Sequence, residues 1–148
     1  MPNQILIVDD NPDDSELLQR FLRKKSVANP VRILADGLTA VDYLHGREPY
    51  SNRLLNPLPM LVFLDISMPG KNGYDVLEWL KAHSEVPMPY LVIYTQAIGF
   101  KELERCYLLG AGSFLLKQTM EEQFRDLVVR YPDVWEFADP ASLSGRQT

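Results

Sequence analysis

Five short apolar segments with strand character recur along the chain: QILIV over 4–8, VRIL over 31–34, MLVFL over 60–64, YLVIY over 90–94 and SFLL over 113–116. Between them the apolar period changes. Leu17, Leu18, Phe21 and Leu22 recur at helical intervals, as do Leu38, Val41 and Leu44, then Val76, Leu77 and Leu80, then Leu103, Tyr107 and Leu108. This spacing predicts four amphipathic helices. A fifth follows the last strand, through Met120, Phe124, Leu127, Val128 and Tyr131. Alternating strands and helices favour an α/β fold whose parallel sheet is covered on both faces. The three central strands, nearly all apolar, suit that double coverage.

Local signals mark the boundaries. Asn11 is placed to cap the first helix, with Pro12 at its first position and Asp13 and Asp14 in the positive first turn. Gly110 is placed to stop the fourth helix. Residues 45–59, HGREPYSNRLLNPLP, carry three prolines and no clean period. They predict a long surface loop with room for a short helical turn, either a contact site or a tolerated insertion. After Tyr131 the chain holds one aromatic pair, Trp135 and Phe137, expected to dock, and a small polar tail whose last ten or so residues are expected to fray.

In open parallel sheets ligands bind beyond the carboxyl ends of the strands. Those positions hold Asp9 and Asp10 after the first strand, Asp65 after the third, Thr95 after the fourth and Lys117 after the fifth. Taken alone, Asp9 and Asp10 read equally well as capping or turn residues. Together with the other strand ends they form a pocket in which three carboxylates would repel one another unless a cation neutralised them. An all-oxygen donor set favours Mg2+ over zinc. Beside such an ion, Asp65 is placed to attack phosphorus and form an acyl phosphate, with Lys117 offsetting charge on the phosphoryl oxygens and Thr95 donating to the product. The product adds roughly −1.5 to −2 charge and three strong acceptors, enough to draw a nearby hydroxyl and its loop inward.

Composition narrows the classes. A chain of 148 residues accommodates one domain with a sizeable core. No apolar run approaches the roughly 20 residues that cross a bilayer, so no membrane association is expected. The opening MPNQILIVDD lacks the basic flank and cleavage site of a signal peptide, so a cytoplasmic protein is expected. The net charge of −5 provides no basic stripe for nucleic acid, and Arg23 to Lys25 reads as a solvated helix end. The single cysteine, Cys106, excludes an internal disulfide and reads as a packed helical thiol. His45 and His83 are isolated in sequence and are expected to be exposed or to cap helices, so the chain is not itself the phosphoryl donor.

The segments ILIVDDNP at 5–12, LDISMPGKNGYDVL at 64–77, Thr95 and FLLK at 114–117 closely resemble the receiver domains of two-component response regulators. D-x-S-M-P-G-x-x-G after an apolar strand is the specific element. The resemblance implies a doubly wound (βα)5 flavodoxin-like sandwich with a five-stranded parallel sheet of order 2-1-3-4-5. It implies a receiver over 1–131 and a short extension over 132–148 without an output domain. By the same resemblance Asp65 accepts a phosphoryl group from a sensor histidine kinase or phosphotransfer protein. Asp9, Asp10, Asp65 and the Ser67 main-chain carbonyl hold Mg2+, and Lys117 contacts the phosphoryl group. Thr95 and Phe114 match the family's switch pair, which alters the surface of the fourth helix, fifth strand and fifth helix. Read alone, Phe114 is ordinary core. Pro69 and Gly70 suit a turn after the third strand, and Gly73 admits the chain to the next helix.

Two positions depart from the family. Gln118 follows Lys117 where the family has a proline, typically after a cis bond. A cis bond to a non-proline residue costs about 2.5–4 kcal/mol, so either that strain is absorbed or the peptide is trans. Gln96 is bulky where the family carries a small residue, and is expected to narrow access to Asp65. Output is expected through a downstream protein, with a homodimer supported by the tail aromatics as an option. The loop and tail are similar to those of stand-alone regulators serving bacteriophytochrome-type kinases. Two rivals remain. One is a receiver-like adaptor that binds without phosphorylation. The other is an aspartyl phosphatase of the haloacid-dehalogenase type, which requires an acid where this chain has Ser67. Phosphoryl transfer with slow self-hydrolysis is the expected chemistry, rather than enzymatic turnover.

Overall fold

In the computed structural model, which describes residues 3–68, 70 and 72–138, the ten expected elements occur in strict alternation. They are β1 (Ile5–Val8), α1 (Pro12–Lys24), β2 (Val31–Leu34), α2 (Gly37–His45), β3 (Leu61–Leu64), α3 (Gly73–Ala82), β4 (Tyr90–Thr95), α4 (Phe100–Leu108), β5 (Ser113–Leu116) and α5 (Met120–Arg130). All five strands are parallel, in the order β2-β1-β3-β4-β5. The two-residue period of the strands divides the core. Leu6, Val8, Val62, Leu64, Leu91 and Ile93 pack beneath α2, α3 and α4. Ile5, Ile7, Leu61, Phe63, Val92 and Tyr94 pack beneath α1 and α5. Burial on both faces explains why these strands are continuous apolar runs rather than alternating ones.

The helix signals act as their chemistry requires. Asn11 Oδ1 accepts from the Asp13 and Asp14 main-chain N–H groups, at 2.9 and 3.3 Å. Asn72 and Asp75 form a reciprocal capping box that starts α3. At the N-terminal residue of α3, a Cβ on Gly73 would lie 2.6 Å from both the Asp65 carbonyl oxygen and the Ile66 Cα. Only glycine lets α3 begin this close to the end of β3. Gly70 adopts φ +71° in the turn between them; Pro69, its expected partner there, lies outside the described residues.

Three expectations change. The stripe that α4 turns inward is Leu103, Cys106 and Leu109, with Cys106 fully buried, while Tyr107 and Leu108 face outward. Helical spacing alone does not say how a helix is rotated on its sheet. Leu17 and Leu38 are likewise exposed. The 46–59 segment is a loop as expected, with one helical turn in which the Asn56 N–H donates to the Asn52 carbonyl. It folds around Arg53, whose guanidinium donates to the carbonyls of Tyr43, Leu44 and Asn56. Of the tail aromatics only Trp135 docks. Its ring meets the edge of Phe124 at 5.2 Å and its Nε1 donates to the Leu127 carbonyl. Phe137 joins an antiparallel bridge to Val27 through its backbone while half its surface stays exposed. The expected fraying concerns residues 139–148, which lie outside the described residues.

Candidate functional site

The parallel ladder runs one residue past the strands on the carboxyl edge. The Asp9 N–H donates to Leu34, the Asp65 N–H to Val8 and the Lys117 N–H to Thr95, at 2.9–3.0 Å. The register that pairs Val8 with Leu64 and Thr95 with Leu116 therefore delivers Asp9, Asp65, Thr95 and Lys117 to one cleft. Two of the acids turn the chain as they arrive. Asp9 Oδ1 accepts from the Asn11 N–H and Asp65 Oδ1 from the Ser67 N–H, each at 2.9 Å. Their Oδ2 atoms remain for other partners. Asp9 and Asp65 are buried and Asp10 is exposed. One oxygen from each of the three lies within 4.8 Å of the others.

Lys117 points its ammonium into this cluster, 2.8 Å from Asp9 Oδ2, 2.9 Å from Asp14 Oδ2 and 3.3 Å from Asp65 Oδ2. It also stands 5.0 Å from the Tyr94 ring centroid. Burial works against the ammonium, but the close pairing with Asp9 and Asp14 and the field of Asp65 outweigh it and hold the Lys117 pKa above its ordinary value. The only cis peptide among the described residues is Glu48–Pro49, so the Lys117–Gln118 bond is trans. A trans bond there still places the lysine in the cleft.

Asp9 has the opposite problem. Burial, with Asp65 repulsion added, pushes its pKa up to about 6, against partial relief from Lys117 and the Asn11 N–H. Its Oδ2 is buried without a hydrogen bond, the Lys117 contact being an ion pair outside hydrogen-bond geometry. A buried, underserved carboxylate oxygen beside two others fits a hard divalent cation. The cleft encloses about 430 Å³ and is lined by Asp10, Asp14, Asp65, Thr95, Gln96 and Lys117, among others. Gln96 is exposed at its rim. Thr95 is buried and its hydroxyl makes only a long 3.4 Å bond to the Ala97 carbonyl. Phe114, opposite Ile93 on β5, is half-buried against the cluster beneath α4.

Two residues escaped the sequence reading. Asp14 carried only a helix-start signal, and Tyr94 only a core signal. In the fold the Tyr94 hydroxyl donates to the Asp14 carbonyl at 3.0 Å, linking β4 to the first turn of α1. The two histidines are brought together on the α2–α3 face. His83 stacks on Trp79 at 4.2 Å and His45 meets the edge of the same ring. His83 ends α3, and its Nδ1 lies 2.7 Å from the Trp79 carbonyl, which can only accept, so Nδ1 carries the proton. Cys106 is packed as expected, its thiol pKa pushed up by burial.

A doubly wound sheet with this polar edge defines a class of signalling domain. Residues 5–129 match the response regulator receiver domain, and the chain belongs to that family. The chain is 28% identical over 134 residues to response regulator Rcp1 of Synechocystis sp., covering 90% of this chain and 89% of that protein. It is 34% identical over 116 residues to the two-component response regulator ARR7 of Arabidopsis thaliana, covering 76% of this chain and 54% of that protein. Among solved structures, the bacteriophytochrome response regulator AtBRR superposes with a TM-score of 0.80 at 32% identity, covering 94% and 99% of the two chains. The Mn2+-bound form of Rcp1 gives 0.76 at 25% identity, covering 93% and 100%. Receiver domains are signalling modules of two-component systems, generally without enzymatic turnover. They are typically phosphorylated on an aspartate, bind Mg2+ or Mn2+ at an acidic pocket and interact with histidine kinases or phosphotransfer proteins. Among the described residues no helix is long and apolar enough to cross a membrane.

Proposed function

We propose that this protein is a single-domain response regulator in which Asp65 accepts a phosphoryl group from a histidine kinase or phosphotransfer protein. The observation that carries this reading is the Lys117 ammonium 3.3 Å from Asp65 Oδ2, inside a cluster of carboxylates with room for a cation. Asp9, Asp10, Asp65 and the Ser67 main-chain carbonyl are the groups that would hold Mg2+. When bound, the ion neutralises the acidic cluster and the phosphoryl charge. Asp65 Oδ2 attacks phosphorus as the P–N bond of phosphohistidine breaks. Its electron pair stays on the imidazole, whose other nitrogen already carries a proton. Lys117 neutralises charge on the phosphoryl oxygens throughout. Thr95, weakly held by Ala97, then turns its hydroxyl to the product, and Phe114 rotates into the space this opens, changing the α4–β5–α5 surface that a downstream protein reads. Water resets the protein slowly, adding to phosphorus as the P–O bond to Asp65 breaks, so that inorganic phosphate leaves and the carboxylate is restored; Ser67 supplies no carboxylate to take the proton of the water where a phosphatase would have one. The receiver spans residues 1–131, with 132–148 a short extension, and the protein works in the cytoplasm. A homodimer is the further assembly consistent with the exposed Phe137.

The test is intact-protein mass spectrometry after incubation with acetyl phosphate and Mg2+, on the wild type and Asp65→Ala. A labile gain of one phosphoryl group, lost in the variant, is expected. No gain in either protein, under conditions that label another receiver, would replace this reading with a phosphorylation-independent adaptor.

A further inference from the structure

We infer that Asp14 is a positioning residue that holds the Lys117 ammonium in place over Asp65. The inference rests on the phosphoacceptor role proposed above and assigns a residue that the site chemistry alone does not require. Three carboxylates seat the ammonium, but they are not equivalent. Asp9 and Asp65 belong to the trio whose oxygens lie within 4.8 Å of one another, so a cation bound there draws on both. Asp65 is also consumed by the chemistry. Asp14 lies outside that trio, 2.9 Å from Lys117 Nζ, and is the one partner of the lysine with no competing role.

The main chain of Asp14 is itself held on both sides. Its N–H is held by Asn11 Oδ1 and its carbonyl by the hydroxyl of Tyr94, which is fully buried. The Tyr94 ring lies 5.0 Å from the same ammonium, so one side chain on β4 both supports the lysine and anchors the turn that carries its counter-ion. The main chain fixes where the lysine starts, since the Lys117 N–H donates to the Thr95 carbonyl and the Thr119 N–H closes the next turn on the Leu116 carbonyl, but it does not fix where the long side chain ends. With 7% of the Lys117 side chain exposed and 20% of that of Asp14, the pair is shielded well beyond an ordinary surface ion pair. The flexible lysine side chain is thus aimed chiefly by its charge partners, and Asp14 is the partner that remains when the others are engaged.

Asp14→Asn and Asp14→Glu test this against Asp13→Asn, which removes the same charge from the same helical turn at an exposed residue. With acetyl phosphate, Asp65 attacks phosphorus, the P–O bond to acetate breaks and acetate leaves with the electron pair, so no proton transfer complicates the rate. Asp14→Asn is expected to lower the rate at saturating donor and Mg2+ by about tenfold, as a misplaced charge partner in the transition state should. The half-saturating concentrations should stay unchanged. Asp14→Glu should recover most of the rate, and Asp13→Asn should match the wild type. Without donor, amine-reactive labelling read by mass spectrometry should find Lys117 protected in the wild type and reactive in Asp14→Asn. The inference is overturned if Asp14→Asn matches Asp13→Asn in both readouts, or if its defect is only a raised half-saturating Mg2+ concentration. A wild type that is never phosphorylated would overturn the role of Asp65 instead, and amine protection would then decide alone whether Asp14 holds Lys117.

Discussion

At the scale of single residues, Asp9 is a carboxylate whose protein environment favours its neutral form. Its ordinary value of 3.8 rises to about 6 in the fold. Between those values the folded chain binds more protons than the unfolded one, so stability falls as pH rises through that window. The contribution is fully present below it and lost above it. Replacing Asp9 by Asn should therefore stabilise the metal-free protein at neutral pH by about 3 kcal/mol, from the free energy of such a shift. It should flatten the pH dependence across the window and abolish stabilisation by added Mg2+. Urea unfolding over a pH series, with and without Mg2+, measures all three. Gly73→Ala should act in the opposite direction. Its methyl group would meet the backbone at Asp65 and Ile66, so a loss of about 1–3 kcal/mol is expected from overpacking, together with weaker Mg2+ binding as the Asp65 turn is displaced. The glycine was visible in the sequence as a permissive residue before a helix. Which atoms it makes room for was not.

Among the elements, strands and caps were legible because their signals are local. Apolar runs bounded by polar residues located all five strands to within a residue, and Asn11 with Pro12 marked the start of α1. Helix rotation was not legible. Leu103, Tyr107 and Leu108 satisfy helical spacing as well as the Leu103, Cys106 and Leu109 stripe that is turned inward, and only the position of α4 against β4 and β5 selects between them. The outward residues Tyr107 and Leu108 give α4 an exposed apolar surface. If Thr95 and Phe114 relay the phosphoryl group to this surface, Thr95→Ala should still be phosphorylated while the α4 backbone amides no longer shift. Heteronuclear NMR of the phosphorylated protein distinguishes the two. In the 46–59 loop Arg53 donates to the Tyr43 and Leu44 carbonyls at the end of α2, alongside the Tyr43 hydroxyl on the Pro57 carbonyl and the Arg47 pair with Asp42. Arg53→Ala should make the loop several-fold more sensitive to limited proteolysis, because opening then leaves fewer carbonyls to be released, with the phosphorylation rate unchanged.

For the molecule as a whole, the segment after α5 is part of the core. Val134 and Trp135 are buried against α1 and α5, and Asn29 ties the segment to the start of β1 by donating to the Asn3 and Val134 carbonyls. Trp135→Ala should cost about 3 kcal/mol, as removal of a large buried aromatic does, measurable as a lower urea midpoint with phosphorylation intact. The amino-acid sequence by itself determined the class of fold, the strand limits and the chemistry at the strand ends, because apolar period, caps and polar residues act over a few neighbouring positions. The family's strand order then placed Asp9, Asp65, Thr95 and Lys117 on one edge before any coordinates. The tertiary structure alone decided that Asp14 and Tyr94 close around Lys117, that the peptide after it is trans, that His45 and His83 meet on Trp79, and that Trp135 rather than Phe137 docks on α5. Each joins residues far apart in the chain, and such contacts are fixed by how helices sit on the sheet rather than by any local pattern.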